Sequence, residues 1–116
     1  MKLFIYDKFW DAFLRINKNT QSKVTGFISK FRVNSKSAAL NLESIKTFKD
    51  QSLRTARIDD KYRAVLKEVK AQELYLLVWI DNHDEAMDWA KNKIIDWNDQ
   101  TQAYQVFSID EAVDID

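Results

Sequence analysis

Apolar residues change their spacing several times along this chain, and each change marks a new element. "KLFIY", Lys2 to Tyr6, is a short apolar strand. Asp7 follows as an N-cap, because its carboxylate accepts the free amide protons of a first helical turn. Phe9, Phe13 and Ile16, joined by Trp10 and Leu14, then keep the three- and four-residue spacing of a helix. After the polar break "NKNTQ", with Thr20 or Ser22 as cap, Val24, Phe27, Ile28 and Phe31 repeat that spacing. The two runs predict a helical hairpin. Asn34 to Ser52 is polar and mixed, a loop with a short ordered piece around Leu40 to Ile45.

Three strand-like runs come next: Leu53 to Ile58, Tyr62 to Val69, and "ELYLLVWI", Glu73 to Ile80. The last is the strongest apolar run, as a central strand buried on both faces requires. Asp59-Asp60 and Ala71-Gln72 are the expected two-residue turns. Asn82 opens a further helix, with Glu85 three positions on to reach back to it. Ala86, Trp89 and Ala90 share one face of that helix. "KIIDW", the polar turn "NDQTQ" and "AYQVF" predict a weaker final hairpin. The order β-α-α-β-β-β-α-β-β predicts an α+β fold: an antiparallel sheet with the N-terminal helical hairpin packed on one face. A single domain spans 1–109, and residues 110–116 are an acidic tail or the start of a linker. The sheet face away from the helical hairpin is left bare, which makes it the expected working surface.

Composition narrows the function classes. The chain has 116 residues, one glycine, no proline and no cysteine. It therefore has no disulfide framework, thiolate metal site or cysteine nucleophile, and a cytoplasmic location is expected. No apolar run approaches the roughly 20 residues needed to span a bilayer. A single glycine cannot build a phosphate-binding loop, so the chain hydrolyses no ATP by itself, and no cofactor is expected. The zero net charge hides an asymmetry. Residues 1–80 hold 16 Lys/Arg against 8 Asp/Glu, while residues 81–116 hold 2 against 10. A basic part of this kind suits a polyanion, or is simply a solvated face balanced by the acidic end.

The basic residues concentrate in "LRTARIDDKYRAVLKEV". With a two-residue turn at Asp59-Asp60, Ala56 faces Arg63 and Arg54 faces Val65. Arg54 and Arg63 then share one side of the sheet, and Arg57 and Tyr62 the other. Arginine suits phosphate because its planar fork donates two parallel hydrogen bonds and keeps its charge. Arg54 and Arg63, with Lys61 and Lys67 nearby, are the candidate nucleic-acid contacts. The alternative is that they pair with Asp59, Asp60, Glu68 or the acidic tail. His83, Asp81, Asp84 and Glu85 have the look of a metal cluster. Carboxylates at a helix N-terminus are favoured by the macrodipole alone, so no metal site is expected. Trp79 and Trp89 are expected in the core, with Trp97 open between core and surface.

A helical hairpin followed by a three-stranded meander, with "KYR" opening the second long strand, resembles the RelE/ParE toxin superfamily over residues 2–95. "LNLESIK", "LRTARIDDKYRAVL" and "YLLVWIDNHDEAMDWAKNKI" further resemble the RelE/ParE-like segment at the N-terminus of bacterial UvrD/Rep-type DNA helicase-like proteins. That resemblance implies a non-catalytic accessory module. It would contact nucleic acid, DNA or RNA, or a protein partner through the bare sheet face, with the helicase motor downstream. The broader resemblance implies a second role, since RelE-type toxins cut messenger RNA on the ribosome with basic side chains. Arg63 matches the arginine of the "YR" pair. Arg54 and Lys61 would support it, and His83 would be the acid or base. An antitoxin-like helix would then be the partner. Asp81-Asn82 stands where such toxins often carry a further basic residue, and Met87 where a tyrosine can sit.

Overall fold

A computed structural model describes residues 2–33 and 40–109. The elements are β1 (Lys2–Ile5), α1 (Phe9–Phe13), α2 (Lys18–Val33), β2 (Leu42–Ser44), β3 (Leu53–Arg57), β4 (Tyr62–Val69), β5 (Leu74–Asn82), α3 (His83–Ala90), β6 (Lys93–Asn98) and β7 (Ala103–Ser108). Five strands form one sheet in the order β1-β5-β4-β3-β2, and β6 pairs with β7 alone. The α+β class and the N-terminal helices on one face are as the sequence predicts, but the sheet is mixed rather than wholly antiparallel, because β1 runs parallel to β5. The run expected to be central is interior, since β5 pairs antiparallel with β4 and parallel with β1, while β4 takes the middle place of the five. The "weaker hairpin" forms as expected, with Trp97 opposite Tyr104. The acidic tail at 110–116 lies outside the described residues.

Local chemistry sets several boundaries differently. Asn17, not Thr20 or Ser22, caps α2: its Oδ1 accepts from the Thr20 amide at 2.8 Å and the Thr20 hydroxyl at 3.0 Å. Lys18 and Asn19 therefore fall inside the helix rather than in a break. Asp7 Oδ1 accepts only from the adjacent Lys8 amide, and α1 has no side-chain cap. This short helix is held instead by Phe9 and Ala12, both buried. Asn82 does cap α3, accepting from the Glu85 amide at 3.0 Å. The ordered piece near Leu40 is an edge strand, β2, paired antiparallel with β3.

The core has two layers, one on each sheet face. Phe9, Val24, Phe27, Ile28 and Phe31 from the helices pack on Ala56, Ala64, Leu66, Leu77 and Ile80. On the other face Val65, Leu76 and Val78 meet Phe48, Ala86, Ala90 and Ile95. The expectation of a bare second face is therefore wrong. Ala86 and Ala90 put a flat side of α3 against the sheet, and Ile95, Tyr104 and Val106 carry the hairpin down beside it. An isolated two-stranded hairpin is marginal in water, so it gains stability by burying this alternating face. A register shift between Val65 and Leu66 leaves Val78 as the extra residue of a bulge. Beside the bulge, Trp79 packs against both layers and stacks on Trp89 at 4.7 Å and 2°. Arg15 lies over Trp79 and Lys93 over Trp89. Trp97 is 45% exposed at the hairpin tip. Trp89→Ala is expected to cost about 2 kcal/mol in urea unfolding, through lost burial and a lost aromatic pair. Trp97→Ala should cost under about 1 kcal/mol. Equal costs would contradict the difference in burial.

Candidate functional site

The site is set by the β3–β4 turn. Ile58 N donates to Tyr62 O at 3.1 Å, leaving three residues, Asp59 to Lys61, in the loop. Asp59 Oδ1 accepts from the amides of Lys61 at 2.9 Å and Tyr62 at 2.7 Å, which closes the loop as an Asx turn. Burial works against the charge on Asp59. The hydrogen bond from Lys23 and those two amides nonetheless hold its carboxyl below the usual carboxylate range. The added residue shifts the pairing by one from the two-residue turn expected. Ala56 faces Ala64, Arg54 faces Leu66, and Arg57 faces Arg63. A slip of one flips every side chain, so Arg54 and Arg63 lie on opposite faces and Arg57 joins Arg63.

Arg54 points to the helix-packed face and is locked there. Its side chain is 15% exposed and meets Glu68 Oε1 at 3.4 Å. Its Nη1 donates to the carbonyls of Gln51 and Leu53. Glu68 Oε2 accepts from the Tyr75 hydroxyl at 2.5 Å. Burial first, and then Glu68, push the Tyr75 hydroxyl up to about 12. Lys67 is locked on the other face, donating to Ser52 Oγ at 2.7 Å and lying 3.5 Å from Asp50 Oδ2. Neither is free to meet a polyanion, so two of the four proposed contacts are structural.

The other candidates gather at one end of the second face. Arg63 sits between Arg57 on β3 and Asp81 on β5. Its Nη1 donates to the carbonyls of Asp59 at 2.7 Å and Tyr62 at 3.0 Å. The remaining nitrogens of its fork make no hydrogen bond among the described residues. Arg57 is exposed and pairs with Asp60. Lys61 O accepts from His83 N at 2.7 Å, which ties the loop to the start of α3. The half-exposed His83 ring has Nδ1 3.0 Å from Asp84 Oδ1. Asp60, Lys61, Asn82, His83 and Asp84 line a shallow cleft of about 380 Å³ beside these groups. Two guanidiniums, an ammonium and an imidazole thus share one corner with three carboxylates. Arg57 was missed by the sequence reading. The overlooked signal was Asp59, whose carboxylate favours a longer, Asx-closed loop.

A second concavity, about 750 Å³, runs along the outer edge of β1 under the hairpin. Phe4, 49% exposed, Tyr6 and Tyr104 line it, with Lys8 and Arg32 at its margin. Among the described residues no three His, Asp or Glu side chains converge as a metal site would require. No helix among them is long and apolar enough to cross a membrane.

No family model and no curated protein matches the chain. Solved structures do. The YoeB/ParE toxin from Agrobacterium tumefaciens superposes with a TM-score of 0.56 at 17% identity, over 72% of this chain and 99% of that one. The RelB–RelE antitoxin–toxin complex from Methanococcus jannaschii gives 0.58 at 14% identity, over 74% and 96%. YafQ from E. coli gives 0.58 at 10% identity, over 73% and 96%. The fold is therefore the α+β fold of RelE/ParE/YoeB-type toxins.

Proposed function

We propose that this chain works as a RelE-type toxin domain that cleaves RNA at the Arg57–Lys61–Arg63–His83 corner. The observation that carries the reading is that corner, with the part-free fork of Arg63 beside an accessible imidazole in a toxin-like fold. In the chemistry we assign, a ribose 2′-hydroxyl attacks the adjacent phosphorus. This yields a cyclic phosphate and a free 5′-hydroxyl. The Arg63 fork, supported by Arg57 and Lys61, would take up charge developing on the phosphate oxygens. His83 would move the proton. Side chains alone supply these roles, so the proposal calls for no cofactor. Asp60, Asp81 and Asp84 lower the corner's positive potential, and turnover is accordingly expected to be slow. The partner would be an antitoxin-like protein segment, and the apolar groove along β1 is its proposed seat. RelE and YafQ are each found with such a partner in the RelB–RelE and DinJ–YafQ complexes. The reading as a helicase-linked accessory module rests on the sequence strings alone. The expected result is cleavage of messenger RNA by the purified chain, with or without ribosomes, strongly reduced by Arg63→Ala. Cleavage products identical for the wild type and a folded Arg63→Ala variant would overturn it.

A further inference from the structure

Helix α2 carries a charge pattern of its own, which meets the corner only where Lys23 pairs with Asp59 and where Arg57 lines a hollow beside the helix. Residues 12–42 contain six Lys/Arg, namely Arg15, Lys18, Lys23, Lys30, Arg32 and Lys36, and no Asp or Glu. Four of the six lie on α2. That helix buries Thr20, Val24, Phe27, Ile28 and Phe31 and exposes the rest of its circumference almost entirely. At about 100° per residue, Lys23 and Lys30 stack two turns apart on one flank. Lys18 and Arg32, four turns apart, take the other flank. Between them runs a crest of Ser22, Gly26 and Ser29, all exposed.

Gly26 sharpens the point. It is the only glycine in the chain, and it sits mid-helix, where glycine is unfavourable relative to alanine. A Cβ there would meet nothing within 4 Å, so packing does not demand it. A bare backbone on an exposed crest does allow close approach by another surface. Beside it a hollow of about 320 Å³ is lined by Lys23, Gly26, Lys30 and Arg57. The charged neighbours facing this flank are Asp59, which pairs with Lys23 at 3.0 Å, and Asp60, which pairs with Arg57. Lys18, Lys30 and Arg32 make no ion pair among the described residues.

We infer that the exposed face of α2 is a docking surface for duplex DNA, lying in the major groove with its two cationic flanks against the opposing phosphate walls. An α-helix is about 10–12 Å across and the B-form major groove is about 12 Å wide, so the fit is direct. The major groove of A-form RNA is too deep and narrow for the same entry. A membrane surface is disfavoured because Val33 is the only exposed apolar side chain on α2. The crest offers few side chains able to read bases, so binding is expected to be independent of sequence.

The test is fluorescence anisotropy of the full chain on a labelled mixed-sequence duplex of about 20 base pairs. Three to four phosphate contacts predict that raising salt from about 50 to about 200 mM weakens binding about 100-fold. The combined Lys18→Gln, Lys23→Gln, Lys30→Gln and Arg32→Gln variant should lose binding to a similar degree. Asp59→Asn should tighten it several-fold, since asparagine keeps the turn's acceptor while releasing Lys23. Gly26→Leu should weaken binding without unfolding the helix. Arg63→Ala should leave it unchanged, which separates this surface from the RNA-cleaving corner. Unaltered binding by the four-fold variant, tighter binding to RNA than to duplex DNA, or capture by phosphatidylserine vesicles in place of DNA would each overturn the inference.

Discussion

Asp50→Ala is expected to lower the free energy of unfolding by about 3 kcal/mol, although the residue lies in a surface connection. Its side chain is only 10% exposed and binds three elements at once. Oδ1 accepts from the amide and hydroxyl of Ser52, and Oδ2 accepts from the Ile95 amide at 3.0 Å. Oδ2 also lies 3.5 Å from Lys67 Nζ, itself 14% exposed. The carboxylate thus pins β6 to the start of β3 and neutralises a lysine beneath the hairpin. Hydrogen bonds to a charged group contribute roughly 1.5–3 kcal/mol each and do not add fully. Removing the anion also leaves Lys67 poorly paired, which is why about 3 kcal/mol is the expected total. Asp50→Asn keeps only one of the two acceptor oxygens and turns an amide NH2 toward the donors at the other, so it should recover little of that loss. Burial opposes ionisation here, but the Ser52 and Ile95 hydrogen bonds and Lys67 together hold the Asp50 carboxyl below its ordinary value. The sign follows from that direction. Its stabilisation is fully present above the unfolded carboxylate pKa of about 4 and is lost as pH falls through the lower folded value. Urea titrations of wild type and Asp50→Ala should therefore converge in acid. Amide exchange should show the β6–β7 hairpin opening first in the variant. A cost under about 1 kcal/mol, or a pH-independent one, would refute this account.

The same residue shows what the sequence could and could not convey. Alternation in "KIIDW" and "AYQVF" marks a hairpin, and its boundaries match β6 and β7 closely. Nothing local says that Ile95 will dock on Val65, Leu76 and Val78, because that depends on Asp50 meeting an amide 45 residues away. The long strands were legible because Leu74 to Ile80 is almost wholly buried, with both faces covered, and therefore continuously apolar. β2 was not, since Leu42-Glu43-Ser44 is three residues at an edge, with only Leu42 packed on the core. Helix caps depend on which oxygen reaches which amide, and Asn17 won over Thr20 because it sits three residues before the amide it accepts. The candidate site suffered most from one extra loop residue. Of the proposed residues Arg63, Arg54, Lys61 and His83, the structure ties Lys61 to His83 through a backbone hydrogen bond. The shift of register exchanged Arg54 for Arg57 as the partner of Arg63.

That exchange yields the sharpest functional expectation, a separation of two arginines that look alike in sequence. Arg63→Ala is expected to reduce RNA cleavage by a factor on the order of 10²–10³, the usual effect of losing one donor aimed at developing oxyanion charge. Its effect on stability should stay within about 1 kcal/mol, because only two turn carbonyls lose a donor. Arg63→Lys should restore little, since an ammonium cannot reproduce the two-pronged contact. Arg54→Ala should do the reverse. It strips the cation from Glu68, 16% exposed, and leaves that carboxylate with the Tyr75 hydroxyl and the distant Lys70 at 3.9 Å. Breaking a fully buried pair costs roughly 3–5 kcal/mol, and partial exposure here lowers the expected loss to about 2 kcal/mol. Cleavage per folded molecule should be unchanged, because Arg54 lies on the face covered by α2. Single-turnover cleavage and urea unfolding on the same preparations separate the two effects. A folded Arg54→Ala protein that no longer cleaves RNA would place the working face on the helix side, and the corner around Arg63 would lose its claim.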